Sequence, residues 1–198
     1  VSSGTDTYYS ADGYWCHALT ELGWPVESVT VAATGGHTTA QMLARIDADI
    51  AGRNIQACFV LGGQNDSTSA ETINNLSAIY TKLNALGIIV IATPILGTDQ
   101  AENVLRRQAV ANAWIRAQHN GSTILVTEAD RYWKDPATGV PKTDYTRETL
   151  AGTRIHPSVM GAREVGRMAA RAVPDRLIAK QPIGVWRPRG GYATNTFV

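Results

Sequence analysis

The sequence lacks the features that mark membrane-spanning and nucleic-acid-binding proteins. It has no apolar run close to the roughly 18–20 residues that span a bilayer, and the N-terminus as given does not have the pattern of a signal peptide. The formal net charge is +1, and the one basic cluster, RPRGG at 187–191, is short. We therefore expect a soluble protein that binds neither membranes nor nucleic acid. The sequence does not fix its location, and an extracellular one is compatible with it.

Cysteine is also scarce, with two residues in 198. Cys16 and Cys58 lie in the apolar segments YWCHAL and QACFVL. Neither has a second Cys or a paired His at the spacing of metal ligands. Because a buried cysteine behaves as a small hydrophobic residue, the pattern favours two buried free thiols over a disulfide.

Amphipathic helical patterns alternate with apolar strand patterns along most of the chain. Helices are predicted over 13–22, 38–50, 68–86, 99–119 and 158–172, and strands over 26–34, 57–63, 88–96 and 123–129. Such alternation is typical of α/β folds, in which helices cover both faces of a parallel sheet. We assign residues 1–174 to this domain and residues 175–198, which are rich in Pro and Gly, to a C-terminal strap or linker.

The first strand of the expected fold cannot be found in the sequence. A doubly wound fold normally begins with a central strand, whereas the first pattern here is a helix. We expect this strand to be missing or supplied from elsewhere, either from upstream of Val1 or from the terminal ATNTFV. The chain is therefore interpreted as part of a longer polypeptide.

Three segments that follow predicted strands or precede predicted helices carry unusual polar residues. They are TGGHTTA (34–40), GGQND (62–66) and RIHPS (154–158). Taken singly, each has a structural explanation: tight-turn glycines, helix-capping Asn and Asp, and a surface His. Ligands of open parallel sheets bind at the carboxyl ends of the strands. A glycine N–H, an Asn carboxamide and an imidazole at such an edge are the groups that acyl transfer needs.

The motifs GGHTT, GGQND and IHPS resemble the second, third and fifth conserved blocks of the SGNH (GDSL-type) hydrolase superfamily. The resemblance covers roughly residues 1–173. It implies a flavodoxin-like three-layer α/β/α sandwich, with Gly36 and Asn65 as oxyanion-hole donors and His156 as the general base. It implies a serine nucleophile, and neither a metal nor an organic cofactor.

The nucleophile block departs from the family pattern. No G-D-S occurs in the sequence, and VSSG at 1–4 is similar to the residues in and just after that block. The nucleophile is therefore predicted to be Ser2, Ser3 or a serine upstream of Val1.

The residue that should orient the base also departs from the pattern. The family usually has Asp three residues before the His, where this sequence has Thr153. Thr153 can accept a hydrogen bond but brings no charge to stabilise an imidazolium. Asp144 and Glu148, in the same loop, are the nearest carboxylates in sequence that can replace it, and a Ser–His dyad is the other outcome.

The resemblance implies an ester hydrolase. The expected substrate is a small ester or an acylated glycan, from which the enzyme removes a small acyl group, acetyl in the first instance. The competing hypothesis is a catalytically impaired SGNH-fold module that binds a glycan or a partner protein, because G-D-S is absent and Thr153 replaces the Asp.

Overall fold

The structure is a computed structural model that describes residues 13–23, 30–150, 152 and 154–173. None of the helices in these ranges combines the length and the apolar character needed to cross a membrane. The helices and strands are α1 (Tyr14–Leu22), α2 (Thr39–Ile50), β1 (Ala57–Val60), α3 (Ser69–Ala85), β2 (Ile89–Ala92), α4 (Glu102–Ala117), β3 (Ile124–Val126), α5 (Ala129–Trp133), a 3₁₀ turn (Thr143–Tyr145) and α6 (Val159–Arg171).

The three strands form one parallel sheet in the order β1-β2-β3. The register places Val90 of the central strand beside Cys58 on one side and Ile124 on the other. Each strand is joined to the next by a helix, α3 or α4, as parallel connections require. The α/β fold class predicted from the sequence is confirmed.

Helices cover both faces of the sheet because the side chains of β2 are apolar on both sides. Val90 and Ala92 belong to the larger core cluster, which includes residues of α3 and α4. Ile91 packs in a second cluster with Leu125 and with Val173, which follows α6. Since successive residues of a strand point to opposite faces, this division produces three layers.

The packing of α1 against α6 requires a glycine. A Cβ atom on Gly166 would lie 2.3 Å from the carbonyl O of Tyr14 and 2.6 Å from Cβ of His17. The backbones of the two helices therefore approach more closely than any larger residue at position 166 would allow. His17 is half-buried at this contact, in agreement with a structural role.

The prediction of a strand over 26–34 is wrong for the part of this segment that the structure describes. Residues 30–34 form no strand, and 26–29 lie outside the described residues. Arg53 Nη1 instead donates to Thr30 Oγ1 at 2.8 Å, and the Arg45 guanidinium donates to the carbonyl of Ala32. In the flavodoxin-like order 2-1-3-4-5 the second strand pairs only with the first, and no first strand is present among the described residues. The prediction for 175–198 also lies outside them.

Both cysteines are free thiols, as predicted, but Cys16 and Cys58 are half-buried rather than fully buried. Burial raises the pKa of the Cys58 thiol to about 11, and the negative charge of Asp49 adds to this effect. A thiol with such a pKa is protonated at neutral pH and is a poor nucleophile.

Between β3 and His156 the chain forms α5 and the 3₁₀ turn. Trp133 at the end of α5 is 1% exposed, and its Nε1 donates to the carbonyl of Gly97 at 2.7 Å. This tryptophan is therefore a core residue that anchors the segment, and it is not available to stack on a sugar.

Candidate active site

The candidate site lies at the edge of the sheet where β1 and β2 end. The loop after β1 carries Asn65, whose Nδ2 donates to the carbonyl O of His37 at 3.1 Å. This contact joins Asn65 to the turn that contains Gly36. The loop that carries His156 is bound to the segment after β2 through Asp99. The three segments singled out in the sequence are thus attached to one edge of the sheet.

The turn before α2 requires a glycine for its backbone conformation. Gly36 has φ +78°, and a Cβ there would meet no atom within 4 Å, so conformation rather than space demands glycine. Thr38 caps α2 by accepting from the Gln41 N–H, and the Gln41 side chain accepts from the Thr38 N–H at 2.9 Å. This capping box fixes the direction in which the turn enters the helix. No described residue accepts a hydrogen bond from the Gly36 N–H.

The loop after β1 is held in place by Gly63. This residue has φ +103°, and a Cβ on it would lie 2.6 Å from Thr72 Cγ2 and 2.8 Å from Ile95 Cδ1. Position 63 therefore excludes larger residues on both conformational and steric grounds. The exposed Asn65 follows two residues later, and one of its two amide hydrogens is used by His37. The second amide hydrogen remains available for a ligand.

Asp66 connects the Asn65 loop to two helices. Its side chain is buried, with 1% of the residue exposed. One carboxylate oxygen accepts from the Thr39 N–H at 2.8 Å, and the other accepts from Thr39 Oγ1 at 2.6 Å and Thr72 Oγ1 at 2.7 Å. Asp66 is therefore the N-cap of neither helix, since Thr38 caps α2 and Thr68 caps α3, but it binds the first N–H of α2. The result is a fixed relation between Asn65 and the first turn of α2.

His156 is hydrogen-bonded to Glu148. The distance from His156 Nδ1 to Glu148 Oε1 is 2.5 Å. Glu148 Oε2 accepts from the backbone N–H groups of Ile155 at 3.1 Å and His156 at 3.0 Å. The imidazole side chain is 68% exposed and that of Glu148 is 25% exposed. One carboxylate therefore binds both the ring and the backbone of the candidate base.

The protonation of Glu148 determines the tautomer of His156. Burial by itself raises the pKa of the Glu148 carboxyl. The hydrogen bonds from the His156 ring and from the His156 and Ile155 N–H groups outweigh burial and lower that pKa to about 2. At neutral pH the carboxylate is ionised and can only accept, so the hydrogen lies on His156 Nδ1. In the neutral imidazole the lone pair is then on Nε2, the nitrogen that a general base would use.

Local backbone pairing places Glu148 opposite His156. Arg147 N–H donates to the His156 carbonyl at 2.9 Å, and Ser158 N–H donates to the Tyr145 carbonyl at 2.8 Å. These bonds form a short antiparallel arrangement in which 145–147 runs beside 156–158. Ser158 then caps α6 by accepting from the Gly161 N–H. A carboxylate eight residues before the His thus reaches it by way of a tight loop.

The other predicted site residues are not brought to the imidazole. The carbonyl of Asp144 accepts from Ser158 Oγ at 2.7 Å, and no contact between the Asp144 carboxylate and His156 occurs within the described part of the chain. Thr153, Ser2 and Ser3 lie outside the described residues.

One polar residue of this region was missed by the sequence analysis. Asp99 lies beyond β2, in a segment that matched no motif, and it accepts hydrogen bonds from Gly152 and Arg154. No sequence signal pointed to it, because its partners lie more than fifty residues away and are backbone groups. Where the structure describes the chain, no group of three or more His, Cys, Asp and Glu side chains is arranged to hold a metal ion.

Comparisons with solved structures identify proteins of the same fold. A protein from Desulfitobacterium hafniense DCB-2, described as lipolytic and of the G-D-S-L family, superposes with a TM-score of 0.66 at 17% identity, over 84% of this chain and 92% of that one. A GDSL-like lipase from Bacteroides thetaiotaomicron gives a TM-score of 0.55 at 17% identity, over 73% and 72% of the two chains. The OSK domain of Drosophila Oskar gives 0.57 at 12% identity, over 80% and 83%. At these identities the likeness concerns the fold.

Sequence comparison identifies the family. No curated protein matches the chain significantly. The sequence model of the GDSL-like lipase/acylhydrolase family matches residues 2–164, which is most of the chain and includes all three motifs. The chain therefore belongs to the GDSL-like lipase/acylhydrolase family, whose members are hydrolases of the lipase and esterase kind.

Proposed function

We propose that this protein is a serine ester hydrolase that removes a small acyl group, acetyl in the first instance, from a carbohydrate-like substrate. The observation that carries the proposal is the 2.5 Å hydrogen bond between His156 Nδ1 and Glu148. It supplies the charged partner that Thr153 cannot provide. The proposed apparatus is a Ser–His–Glu triad, in which Glu148 takes the place of the usual Asp.

In the proposed reaction, His156 Nε2 removes the proton of the serine hydroxyl as the serine oxygen attacks the ester carbonyl. The resulting imidazolium is stabilised by the ionised Glu148. The negative charge on the carbonyl oxygen is stabilised by the Gly36 N–H and the free amide hydrogen of Asn65. His156 next gives its proton to the leaving alcohol, and an acyl-serine remains. Water, deprotonated by His156, then releases the carboxylic acid and restores the serine.

The preference for a small acyl group and a polar alcohol is supported by the openness of the site. The His156 side chain is 68% exposed, and Gly36 and Asn65 are exposed as well. Such a site gives little desolvation to a long acyl chain, whereas the polar edges around it suit a hydroxylated substrate. Exposed apolar side chains do occur in the chain near His156, at Leu150, Val159 and Met160.

The test compares p-nitrophenyl acetate hydrolysis by the wild type and by a His156→Ala variant. We expect the variant to fall to the background rate; equal rates would refute the proposal. The rates of hydrolysis of acetyl, butyryl and octanoyl esters then give the preference for acyl-chain length. The rates on acetylated xylan and on an acetylated non-sugar alcohol, measured separately, give the preference for the alcohol. Faster turnover of the octanoyl ester would contradict the small-acyl assignment. A fluorophosphonate probe followed by peptide mapping identifies the nucleophile, for which Ser2 and Ser3 are the proposed residues.

One observation favours the competing function, a glycan- or protein-binding module without activity. The sequence contains no G-D-S, the block that carries the nucleophile in this family. If the fluorophosphonate probe labels no serine in the folded wild type, and acetylated or deacetylated glycans still bind, this second function replaces the first.

A further inference from the structure

Asp99 lies at the end of the buried segment that follows β2, and it contacts the loop that carries His156. Its side chain is 8% exposed. One carboxylate oxygen accepts from the Gly152 N–H at 2.8 Å, and the other accepts from the Arg154 N–H at 2.8 Å. Arg154 Nε lies 3.7 Å from the same carboxylate. The two hydrogen bonds lie on either side of position 153.

We propose that Asp99 is a positioning residue that holds the His156 loop against the carboxyl end of β2; its catalytic consequence rests on the proposed function. The loop directs four N–H groups, those of Gly152, Arg154, Ile155 and His156, at two carboxylates. Asp99 binds the first two and Glu148 binds the others. Glu148 belongs to the same loop, so it orders the loop internally, whereas Asp99 connects the loop to the sheet.

The support beneath Asp99 is rigid. Residues 93–98 are all buried. Asn112 of α4 accepts from the Ile95 N–H at 2.7 Å and donates to the Ile95 carbonyl at 2.9 Å. Trp133 Nε1 holds the Gly97 carbonyl at 2.7 Å. Asp99 therefore projects from a segment with fixed backbone, as a residue that positions a catalytic group requires.

Loss of the Asp99 carboxylate is expected to release Gly152 and Arg154 of the loop from the segment that follows β2. In Asp99→Asn one of the two N–H groups loses its acceptor and faces an NH2 group instead, because the Asn side chain has a single oxygen. The loop would remain attached through its pairing with 145–147. A displacement of about 1 Å at a catalytic group can cost about 100-fold in rate. We expect Asp99→Asn to lower kcat for p-nitrophenyl acetate by about 10- to 100-fold and to change KM by less than about twofold.

The control is Asp130→Asn. Asp130 is also a buried carboxylate, 5% exposed, and it is paired with an arginine, Arg116, at 2.5 Å. It contacts no part of the His156 loop among the described residues, and the Asn oxygen of the variant can still accept from Nδ2 of Asn112, which lies 3.4 Å from Asp130 Oδ2. This variant should lose stability, as Asp99→Asn should, and keep kcat. A purely structural role for Asp99 predicts that both variants behave alike once corrected for the folded fraction.

A second readout does not depend on activity. The pKa of Glu148, measured by carbonyl-detected NMR titration, reports whether its hydrogen bonds to Ile155 and His156 are intact, because those bonds lower it. Arg154, whose N–H is bound by Asp99, adjoins Ile155, whose N–H is bound by Glu148, so release of Arg154 should loosen the Ile155 bond. In folded Asp99→Asn we therefore expect the pKa of Glu148 to rise toward the usual value of about 4.3, and in Asp130→Asn we expect no change. An unchanged Glu148 pKa in Asp99→Asn would overturn the positioning role.

The two readouts separate the proposals. If His156→Ala keeps wild-type activity, the proposed function fails, while the Glu148 titration still decides the role of Asp99. If Asp99→Asn does not fold, amide hydrogen exchange in the wild type gives the answer. The exposed Gly152 N–H should exchange slowly because Asp99 binds it, and exchange at the rate of an unstructured chain would overturn the proposal.

Discussion

Replacement of Glu148 by Gln tests whether a carboxylate eight residues before His156 serves the role usually given to Asp in this family. Gln is nearly isosteric but carries no charge, and its amide can donate as well as accept. The variant therefore loses the stabilisation of the imidazolium and the preference for a hydrogen on Nδ1. The hydrogen bonds from Ile155 and His156 N–H to one oxygen can remain, so the loop should keep its conformation.

The size of the effect follows from distance and exposure. With about 4 Å between the charge centres, the attraction of carboxylate and imidazolium is about 4 kcal/mol at an effective dielectric constant of 20 and about 1 kcal/mol in water. The His156 side chain is 68% exposed and that of Glu148 is 25% exposed, which places the pair between these limits. Each 1.36 kcal/mol changes a rate tenfold, so we expect kcat to fall by about 5- to 1000-fold.

The assay is steady-state hydrolysis of p-nitrophenyl acetate at pH 7.5–8, with Glu102→Gln as the control. Glu102 forms a surface ion pair with Arg106 at 2.6 Å on α4, so its replacement removes a carboxylate without touching the His156 loop. KM should change little in either variant. A Glu148→Gln enzyme within about twofold of wild-type kcat would refute the triad.

The same variant has a signature in stability. The pKa of Glu148 is lowered to about 2 in the folded protein, below the usual value of about 4.3 for a glutamate. Its ionised form therefore stabilises the folded state above about pH 4.5, and this contribution is lost as the pH falls toward 2. The difference in unfolding free energy between wild type and Glu148→Gln should therefore shrink as the pH falls from 4.5 to 2. A difference that does not depend on pH would show that the charge of Glu148 makes no net favourable interaction in the folded protein.

Two further predictions concern the scaffold. Gly63→Ala should lower the free energy of unfolding by about 2–5 kcal/mol, from backbone strain and from overlap with Thr72 and Ile95. Gly139→Ala, at φ +72° in open space, should lower it by only about 1 kcal/mol or slightly more. Urea unfolding of the two variants measures both losses, and equal losses would contradict the steric argument. The pKa of Cys58 is raised to about 11, so about one part in a thousand of this thiol should be thiolate at pH 8. Cys58 should therefore react far more slowly with a thiol reagent in the native protein than in the urea-unfolded protein. Similar rates in the two states would contradict this prediction.

The helices and the parallel sheet were predictable because they depend on short-range patterns. Apolar residues at helical spacing, capping residues such as Thr38, Thr68 and Ser158, and continuous apolar strands all act within a few residues of sequence. The strand predicted over 26–34 failed over 30–34 because a strand also needs a neighbour to pair with, and local composition does not report whether one is present.

The sequence by itself determined the fold class, the family motifs and the loops on which Gly36, Asn65 and His156 are carried. The tertiary structure decided which carboxylate faces the imidazole, because Asp144 and Glu148 are equally plausible partners in the linear chain. The antiparallel pairing of 145–147 with 156–158 brings Glu148 to His156 Nδ1. The tertiary structure also revealed Asp99, whose partners are backbone N–H groups far along the chain. Backbone hydrogen bonds across such separations depend on how the chain closes on itself, and no residue pattern records them.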